Sequence, residues 1–144
     1  MKIIGEKING TRKSVKEAVL NRNVEFVQKL ASSQADAGST WIDVNAGTAT
    51  DREPEDLIWL VQTVQELVDK PLCLDSANPA AIAAALPHVK KAPLINSISG
   101  ESARLSGVLP LAAKAQGGVI ALAMDDKGIP AETEGRLAIV HRLI

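Results

Sequence analysis

Polar side chains stand at the end of each short apolar run in this 144-residue chain, and their chemistry is the first guide to function. Carboxylates and amides dominate the set: Glu6 and Asn9, Asp43 and Asn45, Asp75 and Ser76, Asn96 and Ser97, Asp125 and Asp126. A carboxylate accepts hydrogen bonds, and an asparagine amide both donates and accepts. This donor and acceptor set is suited to a neutral heterocycle whose edge carries several N–H groups.

A pterin is such a heterocycle. Its amino group and adjacent ring N–H can both donate to one carboxylate, which gives the hypothesis that Asp75 holds this donor pair with Asn96 beside it. The structural alternative for Asp75 is a brace for the turn after its strand, and Asp43 has an equivalent alternative as a brace for the first loop. The sequence 125–128, Asp-Asp-Lys-Gly, is typical of a turn and is interpreted as structural.

Other site chemistries find little support. No phosphate-binding G-x-G-x-x-G or G-x-x-x-x-G-K-[ST] motif and no G-x-S-x-G motif occurs. The acidic residues lack a diagnostic metal-binding spacing, and His88 and His141 lack Cys or His neighbours, so no metal site is expected. Cys73 lies within an apolar run and is predicted to be a buried thiol.

Composition limits the class of protein. The chain is 46% apolar and 23% charged with a formal net charge of -1, which favours one globular domain over residues 1–144. The basic residues are scattered, so no nucleic-acid partner is expected. No apolar run is long enough to cross a membrane and no signal peptide is recognised, which predicts a cytoplasmic protein.

Alternating strands and helices must position these side chains. The predicted strands are 3–5, 41–44, 71–74, 93–100 and 119–124, and Glu6 and Asn9 are assigned to a loop after the first. Asn23 is predicted to cap a helix that stops at Gly38, and Asn78 with Pro79 to begin another. Thr50 and Glu53 have the spacing of a capping box. An apolar stripe from Leu57 to Val68 predicts a further helix. Another helical segment, 110–116, is expected after a turn at 101–106. The final helix is predicted to begin near Thr133, with Leu137, Val140 and Ile144 on one side.

Two architectures accommodate a parallel sheet of five such units. One is a complete doubly wound sheet. The other is the first five units of a (β/α)₈ barrel, which typically needs about 250 residues. Periodicity alone favours the complete doubly wound domain, because an open barrel fragment leaves a strand edge uncovered.

The strand ends, taken together, resemble one family. These segments are Ile4-Gly5-Glu6-Lys7-Ile8-Asn9-Gly10, Asp43-Val44-Asn45-Ala46-Gly47, Leu72-Cys73-Leu74-Asp75-Ser76, Ile95-Asn96-Ser97 and Met124-Asp125-Asp126-Lys127-Gly128-Ile129-Pro130. They resemble the pterin-binding methyltransferases that exchange a methyl group between tetrahydrofolate and a corrinoid protein. That family includes the folate domain of cobalamin-dependent methionine synthase and the methyltransferases of O-demethylase systems. The resemblance covers the whole chain and implies an α/β fold of the (β/α)₈ TIM-barrel type, with about the first five βα units present.

The resemblance also implies roles for particular residues. Asp75 and Asn96 match the pterin-binding Asp and Asn of the family, and Glu6 and Asn9 match polar residues that line the same site. Asp43, Asn45 and Ser97 are interpreted as support. The implied reaction moves a methyl group between N5 of tetrahydrofolate and cobalt, with folate as substrate and a corrinoid (cobalamin) carried by a partner protein. The catalytic residues are expected in a C-terminal part of the barrel that these 144 residues lack, so the chain is interpreted as a truncated domain.

Two alternatives stay open beside this function. A dihydropteroate-synthase-like enzyme would share the fold and the pterin. A non-catalytic fragment would bind a pterin or a protein without turnover. The open edges of the first and fifth strands predict self-association, in the simplest case as a dimer.

Overall fold

The computed structural model describes residues 1–144, and its centre is a sheet of five parallel strands. The strands are β1 (Ile4–Asn9), β2 (Trp41–Asn45), β3 (Leu72–Asp75), β4 (Leu94–Ser99) and β5 (Gly118–Leu122). They lie in the sheet in the order β1-β2-β3-β4-β5, which is their order along the chain. A doubly wound sheet reverses its strand order at a switch point, whereas a barrel adds each strand beside the previous one. The barrel type is therefore confirmed, and the doubly wound sheet favoured by periodicity is wrong.

Seven helices connect the strands: α1 (Lys13–Leu20), α2 (Val24–Asp36), α3 (Glu53–Leu67), α4 (Pro79–Ala85), α5 (Ser102–Gly107), α6 (Leu109–Lys114) and α7 (Thr133–Leu143), with a 3₁₀ turn at Leu86–His88 after α4. Helix α1 is not predicted by the sequence analysis. Its buried residues, Val15, Ala18 and Val19, make a stripe of barely one turn, and Arg12 before it forms no side-chain cap. A short helix with neither a cap nor a long apolar stripe leaves little local signal.

Two of the predicted helix caps are confirmed. The Asn23 side chain accepts a hydrogen bond from Phe26 N at 3.1 Å, and the Asn78 side chain accepts one from Ala80 N at 3.0 Å. The predicted capping box of Thr50 and Glu53 is wrong, because α3 begins after Arg52 without a side-chain cap. Its first residue, Glu53, instead accepts a hydrogen bond from the next strand's loop, as described below.

The helices cover one face of the sheet, and the other face carries the polar residues at the strand ends. Alternate strand residues, Ile42, Val44, Leu72, Leu74 and Ile95, are fully buried in a core that includes Leu57, Leu60, Val61 and Val64 of α3. Because alternate residues of a strand face opposite sides, the intervening residues lie on the other face. The stripe predicted for α3 is correct except at Leu67, which is 55% exposed because the helix ends there.

The last part of the chain is packed less tightly. Helix α7 buries Ile139, whereas Leu137 is 51% exposed and Ile144 is 95% exposed, so the apolar face predicted for this helix is wrong. Strands β1 and β5 each pair with one neighbour, so both edges of the sheet are open, as the sequence analysis expects. None of the helices combines the length and the apolar character that crossing a membrane requires.

Candidate functional site

The carboxyl ends of the strands bring the predicted site residues to one face of the sheet. Asp75 and Asn96 are directly opposed on β3 and β4, and Asn9 and Asn45 are opposed on β1 and β2. Residues opposed across neighbouring strands project to the same face, which here is the face that the helices do not cover. The tips of four consecutive strands therefore contribute to one polar surface.

The Asp75 carboxylate is held by its neighbour on β2. Asn45 donates a hydrogen bond from Nδ2 to Oδ2 of Asp75 at 2.9 Å. Burial raises the pKa of Asp75, with the negative charges of Glu6 and Glu53 adding to the rise, while the Asn45 hydrogen bond and the Arg104 charge oppose it. Asp75 is thus a partly buried acceptor with one oxygen engaged by the protein.

The Asn96 side chain is connected to β2 as well. Its Nδ2 lies 3.4 Å from Oδ1 of Asp43, which is buried. Asp43 lies just below the rim, by which we mean the edge of the sheet formed by the carboxyl ends of the strands. Burial raises the pKa of Asp43 to about 6, opposed by hydrogen bonds from Cys73 and Asn96 and reinforced by the charge of Asp75. Since the amide nitrogen of Asn96 faces Asp43, its Oδ1 is the atom directed elsewhere.

The first strand contributes Glu6 and Asn9, and here the structure corrects the predicted boundary. Both residues lie within β1, which extends to Asn9, rather than in a loop. Glu6 is exposed, and its charge acts on both Asp43 and Asp75, which places it on the same polar face. The Asn9 oxygen accepts hydrogen bonds from Thr11 N at 2.9 Å and Thr11 Oγ1 at 2.7 Å. The Asn9 amide therefore has its N–H groups left to offer a ligand.

Backbone contact between two loops fixes the distance from Asn9 to Asn45. Gly10 N donates to Asn45 O at 2.8 Å. A Cβ on Gly10 would lie 1.9 Å from the carbonyl oxygen of Ala46, and Gly47 adopts a positive φ of 60° against the Gly10 backbone. Only residues without a Cβ permit so close an approach of two main chains.

The two serines of the predicted set are used by the protein itself. Ser76 Oγ donates to Glu53 Oε1 at 2.5 Å and accepts from Asn78 N at 2.9 Å, which ties the start of α3 to the start of α4. Ser97 is buried, and its backbone carbonyl accepts from Arg104 Nη1 at 3.2 Å. Ser97 thereby holds Arg104 on the Asn96 side of the rim.

The acidic sequence after β5 forms a hydrogen-bonded turn, and the structural role of its carboxylates stays a prediction. Gly128 N donates to Asp125 O at 2.7 Å, and the Asp125 side chain accepts from Lys127 N at 3.0 Å. Asp126 accepts from Ser102 Oγ at 2.8 Å at the start of α5. Both carboxylates are thus engaged in holding the loop.

Arg104 and Glu53 belong to the rim, and sequence reasoning did not identify either. Each follows a strand tip by several residues and lies on the next helix, α5 or α3. Their charges reach Asp75 only through the folded chain. Their positions in the sequence could have indicated this, because the first turn of a helix after a barrel strand lies at the same rim as the end of that strand.

A cavity of about 440 Å³ opens beside these residues. Its lining is mostly polar: Thr11, Asn45, Gly47, Thr50, Glu53, Ser76, Ala77, Asn78 and Pro79. No group of three or more His, Cys, Asp or Glu side chains is arranged to hold a metal ion. The cavity lining can therefore accept and donate several hydrogen bonds, and Glu53 gives it a negative charge.

The fold and this rim define the class of protein. A family model described as pterin binding enzyme matches residues 5–141, and the chain belongs to that family.

Two curated relatives give the comparison more detail. The chain is 40% identical over 146 aligned residues to a methylcorrinoid:tetrahydrofolate methyltransferase of Eubacterium limosum, a match that covers 100% of this chain and 54% of that protein. It is 25% identical over 148 aligned residues to a methionine synthase of Mycobacterium tuberculosis, covering 99% of this chain and 12% of that protein. The chain thus spans about half the length of the first relative and a smaller part of the second.

Proposed function

We propose that this chain binds the pterin ring of a tetrahydrofolate and serves methyl transfer between N5 of that folate and a corrinoid carried by a partner protein. The family match supports the pterin, and the name of the Eubacterium limosum relative joins a methylcorrinoid to tetrahydrofolate. Dimerisation and a cytoplasmic location remain predictions from the sequence.

One observation carries the proposal: Asp75 and Asn96 face each other at adjacent strand ends, each with one side-chain oxygen unused by the protein. Asp75 receives its protein hydrogen bond at Oδ2, and Asn96 uses its nitrogen towards Asp43. The edge of a pterin presents an amino group and a neighbouring N–H, which require acceptors of this kind. A carboxylate gives them the stronger bonds because it is charged.

Each residue of the site has its own role in binding the pterin. Asp75 accepts the donor pair of the ring, Asn96 contacts the next ring positions, and Glu6 and Asn9 line the side of the site formed by β1. A ring held in this way presents its N5 in a fixed position, and fixed geometry is itself a source of rate acceleration. The corrinoid supplies the cobalt that exchanges the methyl group with the folate.

The test is thermal unfolding of the chain under anaerobic conditions with and without 5-methyltetrahydrofolate. A ligand at 100 times its dissociation constant adds about 2.7 kcal/mol to the free energy of unfolding, so the transition should move upwards. Asp75→Ala should abolish this shift. Asp69→Ala is the matched control, because Asp69 is 91% exposed and pairs with Lys91 away from the rim, and it should retain the shift.

Methyl transfer is assayed next, by mixing the chain, 5-methyltetrahydrofolate and a reduced corrinoid protein and following loss of the methylated folate. A transition that the folate does not move contradicts the pterin site. A shift without transfer at any corrinoid concentration contradicts methyl transfer by these 144 residues alone and leaves them a pterin-binding module, in agreement with catalytic residues in the part of the barrel that they lack.

A further inference from the structure

The side chain of Asn45 has two ends with different surroundings. Its Nδ2 donates to Oδ2 of Asp75 at 2.9 Å. Its Oδ1 is buried and accepts no hydrogen bond. Because a carboxylate oxygen only accepts, the amide must turn its nitrogen to Asp75, which leaves its oxygen as the second end.

The Asn45 backbone cannot move away from this position. Its carbonyl accepts from Gly10 N at 2.8 Å, and its Cα is paired with that of Asn9 on β1. The side chain therefore projects from a point fixed on both sides. A group held in this way can set the orientation of the carboxylate that it contacts.

A buried acceptor without a partner is uncommon in folded proteins, because it has lost its hydrogen bonds to water and gained none. Asn45 also lines the cavity of about 440 Å³ at the rim. Asp75 and Asn45 together therefore keep one oxygen each, Oδ1 in both cases, outside the protein's own hydrogen bonds. Because Asn45 Oδ1 is buried, Asp75 Oδ1 is the acceptor left for a ligand, and it favours a ligand with N–H donors.

We infer that Asn45 is a positioning residue for ligand binding: its amide N–H orients the Asp75 carboxylate and leaves Asp75 Oδ1 to accept hydrogen bonds from a donor-rich ligand. This inference rests on the proposed pterin function and deepens it. The titratable and charged groups that act on Asp75 beside Asn45 are Glu6 of β1, Asp43 of β2, Glu53 of α3 and Arg104 of α5. None of these changes in Asn45→Ala, so a shift in the Asp75 titration of that variant reports the lost hydrogen bond.

The first measurement needs no ligand. The pKa of the Asp75 carboxyl is followed by carbon NMR in the wild-type chain, with Asp75→Asn to assign the signal. Asn45→Ala should raise this pKa, and Asn45→Asp should raise it further because a like charge replaces the donor. Asn45→Asp is nearly isosteric, so it remains informative if the alanine variant unfolds. Asn21→Ala, which changes an exposed asparagine at the end of α1, should leave the titration as it is in the wild type.

The second measurement is calorimetric titration of 5-methyltetrahydrofolate as a function of pH. Asn45→Ala should bind at least about tenfold more weakly than the wild type at neutral pH, the loss expected for one hydrogen bond to a charged group. The pH at which affinity is half lost should move upwards with the Asp75 pKa.

An unchanged Asp75 pKa in both Asn45 variants overturns the inference, as does wild-type affinity with a wild-type pH profile. If the wild-type chain itself does not bind the folate, the proposed function fails and the ligand role of Asn45 fails with it. Binding by the wild type with loss in Asp75→Asn but not in Asn45→Ala overturns this inference alone.

Discussion

The amide nitrogen of Asn96 on β4 lies 3.4 Å from the carboxylate oxygen Oδ1 of Asp43 on β2, although strand β3 lies between them in the sheet. The curvature of the sheet makes this contact possible, since the inner side chains of a barrel converge above the strand they span. On the intervening strand, Cys73 is the residue opposed to Asp43. A buried carboxylate is therefore part of the support for a predicted ligand residue.

Asp43→Asn should change how stability depends on pH. Because Asp43 has its pKa raised from 3.8 to about 6, the folded chain retains this proton at pH values where the unfolded chain has lost it. Stability therefore falls as pH rises from about 4 to about 6, and the variant avoids this fall. The free energy of unfolding of Asp43→Asn minus that of the wild type should grow by roughly 2 kcal/mol between pH 4 and pH 7.

Urea unfolding at the two pH values measures this difference. Asp36→Asn, at an exposed position near the end of α2, removes the same charge without a buried carboxylate and serves as the control. If the free energy of unfolding of Asp43→Asn minus that of the wild type is the same at both pH values, the prediction is wrong.

Gly10→Ala should cost more stability than Gly38→Ala. The added Cβ at Gly10 meets the Ala46 carbonyl at 1.9 Å, and the bond from Gly10 N to Asn45 O prevents relief by separation of the loops. We expect a loss of about 2–4 kcal/mol. Gly38 has a positive φ of 90° with nothing within 4 Å of the new Cβ, so alanine there costs only the backbone strain of about 1 kcal/mol. Equal midpoints in urea unfolding of the two variants would contradict the loop contact.

Asp56→Asn should destabilise the chain because Asp56, on α3, joins that helix to Arg22 in the turn between α1 and α2. This carboxylate is fully buried, 2.8 Å from Arg22 Nη1 and 2.9 Å from Arg52 Nε. Loss of its charge leaves the Arg52 guanidinium without its partner and Arg22 with only the exposed Glu55, at a cost of about 2–3 kcal/mol. Asp69→Asn, which breaks the exposed pair with Lys91, should leave the unfolding midpoint nearly unchanged. A midpoint for Asp56→Asn as high as that of Asp69→Asn would show that the buried pair contributes little.

Cys73 should resist thiol reagents in the folded chain. The side chain is fully buried, and burial with the neighbouring Asp43 charge raises the pKa of its thiol, so the reactive thiolate is scarce. Mass spectrometry after iodoacetamide should find the native chain unmodified and the urea-unfolded chain carrying one adduct. Rapid labelling of the native chain would mean that this part of the site opens to solvent.

Sequence reasoning predicted the parts of the fold whose signals are local. The caps at Asn23 and Asn78 need only one side chain and the next turn of helix, and both are confirmed. The stripe of α3 repeats often enough to be recognised before folding is considered. Helix α1 and the buried face of α7 were not predicted correctly because each depends on which neighbour the helix packs against.

The sequence by itself determined the alternation of strands and helices, the polar residues at the strand ends and the family that these residues indicate. Each of these follows from residue type and spacing alone. The tertiary structure decided which of those residues meet. Asn45 contacts Asp75 across 30 positions of the chain, and Asn96 contacts Asp43 across 53. Such contacts depend on strand register and sheet curvature, which are set by packing over the whole core, and so do the raised pKa values of Asp43 and Asp75.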